Sequence, residues 1–157
     1  MEIALCRIDD RLIHGQIVTM WSKECSCNRI LVVNDEVYND TIRKTLLIQI
    51  APPGIKAHVL SIEKALEAYN NPNYNDFKAL LLVTNPSDVL KLIEGGLNIK
   101  TVNIGGMSFK EGKKQITPAV YVDEKDIEAL KKLHERGIEL ELRRVSTDIK
   151  VDMMTKI

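Results

Sequence analysis

The run Ala79-Leu80-Leu81-Leu82-Val83 is the most apolar in the chain and has no polar face to turn toward water. A strand of that kind is buried on both sides, which makes it a central strand of a sheet covered by helices. It is followed by Thr84-Asn85-Pro86-Ser87-Asp88, where Asn85 suits a helix cap and Pro86 the first helical position. That helix runs to the stop at Gly95-Gly96.

The same strand-then-helix grammar repeats along the chain. Ile3-Ala4-Leu5, Arg29–Asn34, Ala57–Leu60, Lys100–Ile104 and Ala119–Val122 read as short buried strands. Ile138–Arg143 alternates apolar and polar residues, the pattern of an edge strand with one wet face. Between these strands lie helical periodicities. Ile17, Val18 and Trp21 mark the first helix. Asp35 or Asn39 can cap a long helix through Ile50, with Ile42, Leu46, Leu47 and Ile50 on one face, ended by Ala51-Pro52-Pro53-Gly54. Ser61 caps another, with Glu63 in its first turn, and it stops before Asn70. Asp123 starts the last, with Ile127, Leu130 and Leu133 buried and Gly137 at its end. The segment Lys110 to Pro118 carries three lysines without periodicity and reads as an exposed loop. This alternation implies an α/β fold: one domain over residues 1–157, with a mostly parallel central sheet of about six or seven strands and helices on both faces.

Balanced charge, with 22 basic and 22 acidic residues, argues against bulk binding to nucleic acid or to an anionic membrane surface. No segment approaches the roughly 18 consecutive apolar residues of a membrane span. The first residues lack the pattern of a signal peptide, so the cytoplasm is the expected compartment. Cys6, Cys25 and Cys27 make an odd count, which disfavours a disulfide framework. One Cys25-Ser26-Cys27 pair without two further ligands does not make a metal site, and these residues read as ordinary thiols without a role.

The chemistry concentrates in Cys6-Arg7-Ile8-Asp9-Asp10-Arg11-Leu12-Ile13-His14-Gly15-Gln16. The segment joins the first strand to the first helix, at the carboxyl edge of the sheet, where open α/β folds bind ligands. Arginine forks match phosphate oxygens, a carboxylate can fix an imidazole tautomer, and a helix start offers free N–H groups to an anion. Together these parts describe His14 as a histidine able to carry a phosphoryl group. Arg11 and Arg7 are the expected cations, Asp9 or Asp10 the group that holds the ring, and Gly15 and Gln16 the backbone donors. One of the aspartates can instead pair with an arginine. Asn85, Ser87, Gly105 and Gly106 stand in loops expected at the same edge and are candidate phosphate ligands, although Asn85 and Ser87 also suit plain capping. His58 and His134 lack such company and read as structural. Neither GxGxxG nor GxxxxGK[ST] occurs, so a nucleotide site is poorly supported. No cofactor or metal is required by this chemistry.

The segment Arg7 to Gln16 closely resembles the phosphorylation site of the mannose/fructose/sorbose family of phosphotransferase-system (PTS) enzyme IIB components. Val32-Val33-Asn34-Asp35 and Asn103-Ile104-Gly105-Gly106-Met107 also resemble family segments, so the likeness runs nearly end to end. It implies that residues 1–157 are a single IIB domain of the mannose/sorbose type, with a largely parallel sheet. It further implies a protein-phosphohistidine–sugar phosphotransferase. In that role the matching His14 accepts a phosphoryl group from a phosphorylated IIA protein or domain. The group then passes to a sugar entering through the membrane subunits IIC and IID, with which the domain associates peripherally. A homodimer follows only by analogy with relatives. Neither the sugar nor the phosphorylated ring nitrogen is legible in the chain.

Two other readings compete. A hydrolase passing through phosphohistidine would place arginine directly before the histidine, where this chain has Ile13. A non-catalytic module could bind phosphate or a sugar phosphate, or regulate a partner, through the same basic pocket. In the phosphocarrier reading the surface around His14 serves as a docking face, bordered by Met20, Trp21 or the lysines Lys110, Lys113 and Lys114. Trp21 has a core position on the first helix as its alternative.

Overall fold

Each apolar run picked out above is a strand, because residues that cannot face water on either side find their partners in adjacent strands and overlying helices. The structure, a computed structural model, describes residues 1–157 apart from the side chain of Ile17. The chain forms β1 (Glu2–Asp9), α1 (Gly15–Glu24), β2 (Arg29–Val33), α2 (Asp35–Asn39), α3 (Thr41–Gln49), β3 (Lys56–Leu60) and α4 (Ile62–Tyr69). It continues through β4 (Lys78–Val83), α5 (Pro86–Glu94), β5 (Thr101–Gly106), β6 (Lys114–Thr117), β7 (Val120–Val122), α6 (Glu124–Glu135), β8 (Glu139–Leu142) and β9 (Val151–Asp152).

Seven strands make the main sheet in the order β3-β2-β4-β1-β5-β8-β9, and β6 and β7 form a separate antiparallel pair. All pairings in the main sheet are parallel except β8 with β9. The helices after β1 and β2 cover one face, where Val18, Trp21, Val37 and Leu47 pack with Leu80 and Leu82. Those after β3, β4 and β7 cover the other, where Ala65, Val89, Leu92, Leu130 and Leu133 pack with Leu81 and Val83. Leu80, Leu81 and Leu82 are all fully buried, each worth about 1.5–3 kcal/mol relative to exposure. The connection leaving β1 runs toward the β3 edge and those leaving its neighbours β4 and β5 run the other way, so the carboxyl end of β1 is a topological switch point, the place where sheets of this kind leave a crevice.

Several expectations change. The long helix through Ile50 is two helices, because Asn34 caps α2 and Asp40, in extended conformation, caps α3. The break turns the anticipated stripe outward: Leu47 is buried, while Ile42, Leu46 and Ile50 face solvent. The strand Ile138–Arg143 is not an edge; β9 pairs outside it and Glu141 on its supposed wet face is 3% exposed. The Lys110–Pro118 loop contains β6, and Lys113 is drawn inward to Asp126 at 2.8 Å. Of the first helix's apolar stripe, Val18 and Trp21 are buried, and the expectation for Ile17 falls outside the described side chains.

Candidate active site

Strand parity builds the site. Cys6 and Ile8 face the helices α4–α6, which puts Arg7 and Asp9 on the α1 side. Register carries the same parity across the sheet: Arg7 pairs with Asn103, and Asn103 with Glu141. A row of polar side chains thus lies buried beneath α1, with Trp21 as its lid. The Arg7 and Arg143 guanidinium carbons lie 5.2 and 5.1 Å from the Trp21 ring, and its indole N–H donates to the Arg144 carbonyl.

Asp9 is the centre of that layer and is 0% exposed. Its Oδ2 accepts from Arg7 Nη2 at 3.1 Å, Arg11 Nη2 at 3.3 Å and lies 3.0 Å from His14 Nε2. Its Oδ1 accepts from the Arg11 backbone N–H at 3.1 Å and from Arg11 Nε at 3.2 Å. Burial pushes the carboxyl up, but hydrogen bonds from Arg11 and His14 and the charge of Arg7 outweigh it and hold Asp9 below the usual carboxylate range. An ionised carboxylate only accepts, so the His14 nitrogen facing it carries the proton. The lone pair is then on Nδ1.

The loop that delivers His14 is fixed at both ends. The Leu12 N–H closes a turn onto the Asp9 carbonyl at 2.9 Å. Leu12 itself has φ +60°, a left-handed conformation costing a leucine on the order of 1–2 kcal/mol. Complete burial of Leu12 and near-complete burial of Ile13 in the core under α1 hold that conformation. His14 follows in extended conformation as the cap residue of α1, and its side chain makes no capping hydrogen bond. The other five α-helices begin on an Asn, Asp or Ser side chain that accepts from the first turn. Helix α1 therefore keeps its positive end and first-turn donors available beside His14. No acidic residue occupies its first turn. Gly15, at φ +46°, supplies the backbone turn into the helix.

The structure places the candidate residues differently. His14 and Arg11 remain accessible, with side chains 22% and 45% exposed, and exposed Gly15 and Gln16 begin α1 beside them. Arg7 is turned inward instead: it is 1% exposed and donates to Asp9, Asn103 and the carbonyls of Arg143 and Arg144. It is a strut for Asp9 rather than a phosphate ligand. Asp10 does not hold the ring; both its oxygens accept from Ser108, from the backbone N–H at 2.7 Å and the hydroxyl at 2.8 Å. Gly105 and Gly106 belong to β5 rather than to a loop. A Cβ at Gly105 would overlap the Arg7 guanidinium, so that glycine makes room for an arginine and not for phosphate. Gly106 lines a cleft beside Arg11. Asn85 caps α5 through Asp88 N–H and bonds Thr84 and Asp88, and Ser87 stands in the first turn of α5. Trp21 is 2% exposed and belongs to the core rather than to a docking rim.

Sequence reasoning missed the supporting layer of Asn103, Glu141 and Arg143, in which Arg143 donates twice to Glu141 at 2.7 and 2.8 Å. A polar Asn103 between Val102 and Ile104 was the available signal. It also missed Arg144. With Arg11, Gly106, Ser108, Phe109, Pro118, Ala119 and Tyr121, Arg144 lines a cleft of about 390 Å³ at the switch point. Phe109 is exposed there and meets Tyr121 edge to face at 5.5 Å.

This arrangement offers one nucleophilic ring nitrogen, one accessible arginine anchored by its own carboxylate, and an open helix start. Comparisons with known proteins point the same way. The family model described as "PTS system sorbose subfamily IIB component" matches residues 3–157. The chain is 60% identical over 157 residues to the PTS system mannose-specific EIIAB component of Escherichia coli, covering 100% of this chain and 49% of that protein. It thus spans about half the length of the mannose-specific relatives it matches. It is 51% identical to the PTS system sorbose-specific EIIB component of Lacticaseibacillus casei, covering 100% of this chain and 96% of that one. Among solved structures, the IIBSor domain of the sorbose permease from Klebsiella pneumoniae superposes with a TM-score of 0.97 at 51% identity, over 99% of this chain and 96% of that one. Among the described residues, no helix is long and apolar enough to cross a membrane.

Proposed function

The chain belongs to the sorbose subfamily of PTS IIB components, and from that premise we propose that Nδ1 of His14 accepts a phosphoryl group from the phosphohistidine of a IIA protein or domain. The group then passes to a sugar presented by the membrane subunits IIC and IID, with this chain working at the cytoplasmic side of the transporter. The observation that carries the reading is the 3.0 Å contact between His14 Nε2 and Asp9. It fixes the tautomer that leaves Nδ1 nucleophilic and stabilises the ring as it becomes positively charged.

Transfer of a phosphoryl group calls for in-line positioning and for neutralising its equatorial oxygens, with little covalent chemistry from the protein. Arg11 is suited to that neutralisation, because Asp9 fixes the Nε edge of its guanidinium while the side chain stays accessible. Nδ1 is the ring nitrogen nearer the main chain, so a phosphoryl group on it would approach the uncapped start of α1. Partial exposure of His14 lets a donor and later an acceptor reach it in turn.

The test is incubation with phosphoenolpyruvate, the general PTS proteins and a phosphorylated IIA, followed by measurement of acid-labile label. Stable label on the parent and none on His14→Ala, with the fold retained, is the expected result. Label on the His14→Ala variant would move the site elsewhere. Rapid release of free phosphate would make the protein a hydrolase, and absence of label would leave a binding module.

A further inference from the structure

Far from His14, at the other end of α1, lies a pair of thiols that this function does not use. Cys25 ends α1 as its C-cap residue, half-buried, and Cys27 is 8% exposed in the core beneath the helix. Between them Ser26 has φ +52°, a left-handed conformation that folds the chain back on itself. The N–H groups of Cys25, Ser26 and Cys27 bond to the carbonyls of Trp21, Lys23 and Ser22, so the whole tripeptide is wrapped onto the last turn of α1. The left-handed Ser26 and these bonds bring the two cysteines onto the same turn, Cys25 toward the surface and Cys27 into the core. Cys25 Sγ also lies 3.7 Å from the Ser22 carbonyl.

We infer that Cys25 and Cys27 form a thiol–disulfide exchange site, in which accessible Cys25 attacks a low-molecular-weight disulfide and buried Cys27 resolves it. The Cys25 thiolate attacks one sulfur of the disulfide RSSR, forming Cys25–S–SR and releasing RS⁻. The Cys27 thiol gives up its proton to that thiolate and attacks Cys25 Sγ, forming the Cys25–Cys27 bond and expelling the second RS⁻. The protein loses two hydrogens, and RSSR is reduced by two electrons to two RSH after one proton is taken from water for the initial thiolate. A strained bond spanning a single residue is easily reduced again, as a reversible site requires.

The division of labour follows from the environment. The adjacent Cys27 thiol lowers the Cys25 pKa below the ordinary thiol value against the opposing effect of burial, and the charge of Lys78 on β4 acts in the same direction. The neighbouring Cys25 thiol and burial raise that of Cys27, the less accessible of the two. Cys6 is fully buried, its thiol pushed up to about 12 by desolvation, and stays silent.

The probe is glutathione disulfide added to the reduced, full chain, read by mass spectrometry of the tryptic peptide Glu24–Arg29, which holds both cysteines. The expected product is the peptide two hydrogens lighter, restored by excess reduced glutathione. Cys27→Ser should stop at one glutathione on Cys25. As a measurement needing no variant, alkylation of the reduced parent by iodoacetamide near neutral pH should favour Cys25 over Cys27 by at least about tenfold. Its rate should inflect at a lower pH than that of an ordinary thiol. A parent carrying glutathione on both cysteines, no reaction at Cys25, or preferential alkylation of Cys27 would each overturn the assignment.

Discussion

His14 Nε2 and Asp9 Oδ2 stand 3.0 Å apart, and the aspartate in that contact is held by two arginines of opposite character. Arg7 reaches it from within the buried layer, and Arg11 from the accessible cleft. One carboxylate thereby sets the imidazole tautomer, anchors the accessible cation and neutralises the buried one.

Replacing Asp9 by asparagine therefore acts on both stability and transfer. It strands Arg7 in the core without its counterion, an imbalance that costs about 3–5 kcal/mol. It also frees the His14 tautomer and loosens Arg11, which should slow phosphorylation by on the order of 10²-fold or more. Denaturant unfolding and the rate of labelling by phosphorylated IIA measure the two effects separately.

Asp9 also sets part of the acid stability. Its folded pKa lies below the ordinary 3.8. The unfolded chain thus takes up the proton first as pH falls. The stability from this group is complete above 3.8 and is lost as pH drops through the lower folded value. Unfolding free energy measured between neutral and strongly acid pH should show a steep acid limb that flattens in Asp9→Asn.

Arg11 faces the cleft and, under the proposed function, is the cation that the transferring group would meet. Arg11→Gln should lower the transfer rate by on the order of 10²-fold, and Arg11→Lys by less, since lysine keeps the charge but loses the fork. Stopped-flow or quenched-flow labelling distinguishes them. Equal rates for Arg11→Gln and the parent would shift the role to Arg144 or to a partner's residue.

Gly105 and Gly106 should respond differently although they are neighbours. Gly105→Ala drives a methyl group into the Arg7 guanidinium, an overpacking worth about 1–3 kcal/mol, and should slow transfer through the displaced strut. A Cβ at Gly106 meets Asp9 Oδ1 no closer than 3.4 Å, an ordinary contact, so Gly106→Ala should change stability by only about 0.5 kcal/mol or less. Thermal unfolding of the two variants checks the contrast.

Lys110, Lys113 and Lys114 also part company. Lys113 pairs with Asp126, the buried partner of Asp123 in the capping box that starts α6. Lys113→Met should destabilise the fold by about 1–3 kcal/mol by leaving that carboxylate less satisfied. Exposed Lys110, next to the cleft residue Phe109, and exposed Lys114 should leave stability unchanged. Reversing both to glutamate should slow phosphorylation by an acidic donor at low salt, with the difference fading as salt is added. A parental rate at low ionic strength would place the docking face elsewhere.

What the sequence by itself determined was local: where leucine and valine runs must be strands, where Asn85, Ser61 and Asp123 start helices, and which turn concentrates arginine, aspartate and histidine. These follow from composition and short-range geometry, because period, capping and turn chemistry act within a few residues. It could not assign roles inside that turn, since two arginines and two aspartates at similar spacing are chemically alike. Only the tertiary structure divided them. Strand parity sent Arg7 and Asp9 beneath α1, while the turn left Arg11 accessible and Asp10 against Ser108. The partners that decide each fate, Asn103, Gly105, Glu141 and the carbonyls of Arg143 and Arg144, lie about a hundred residues away in sequence and arrive only when β5 and β8 assemble beside β1. The outward stripe of α3 has the same origin, because the break at Asp40 set its rotation and packing on β3, not apolar periodicity, chose Leu47 as the residue to bury.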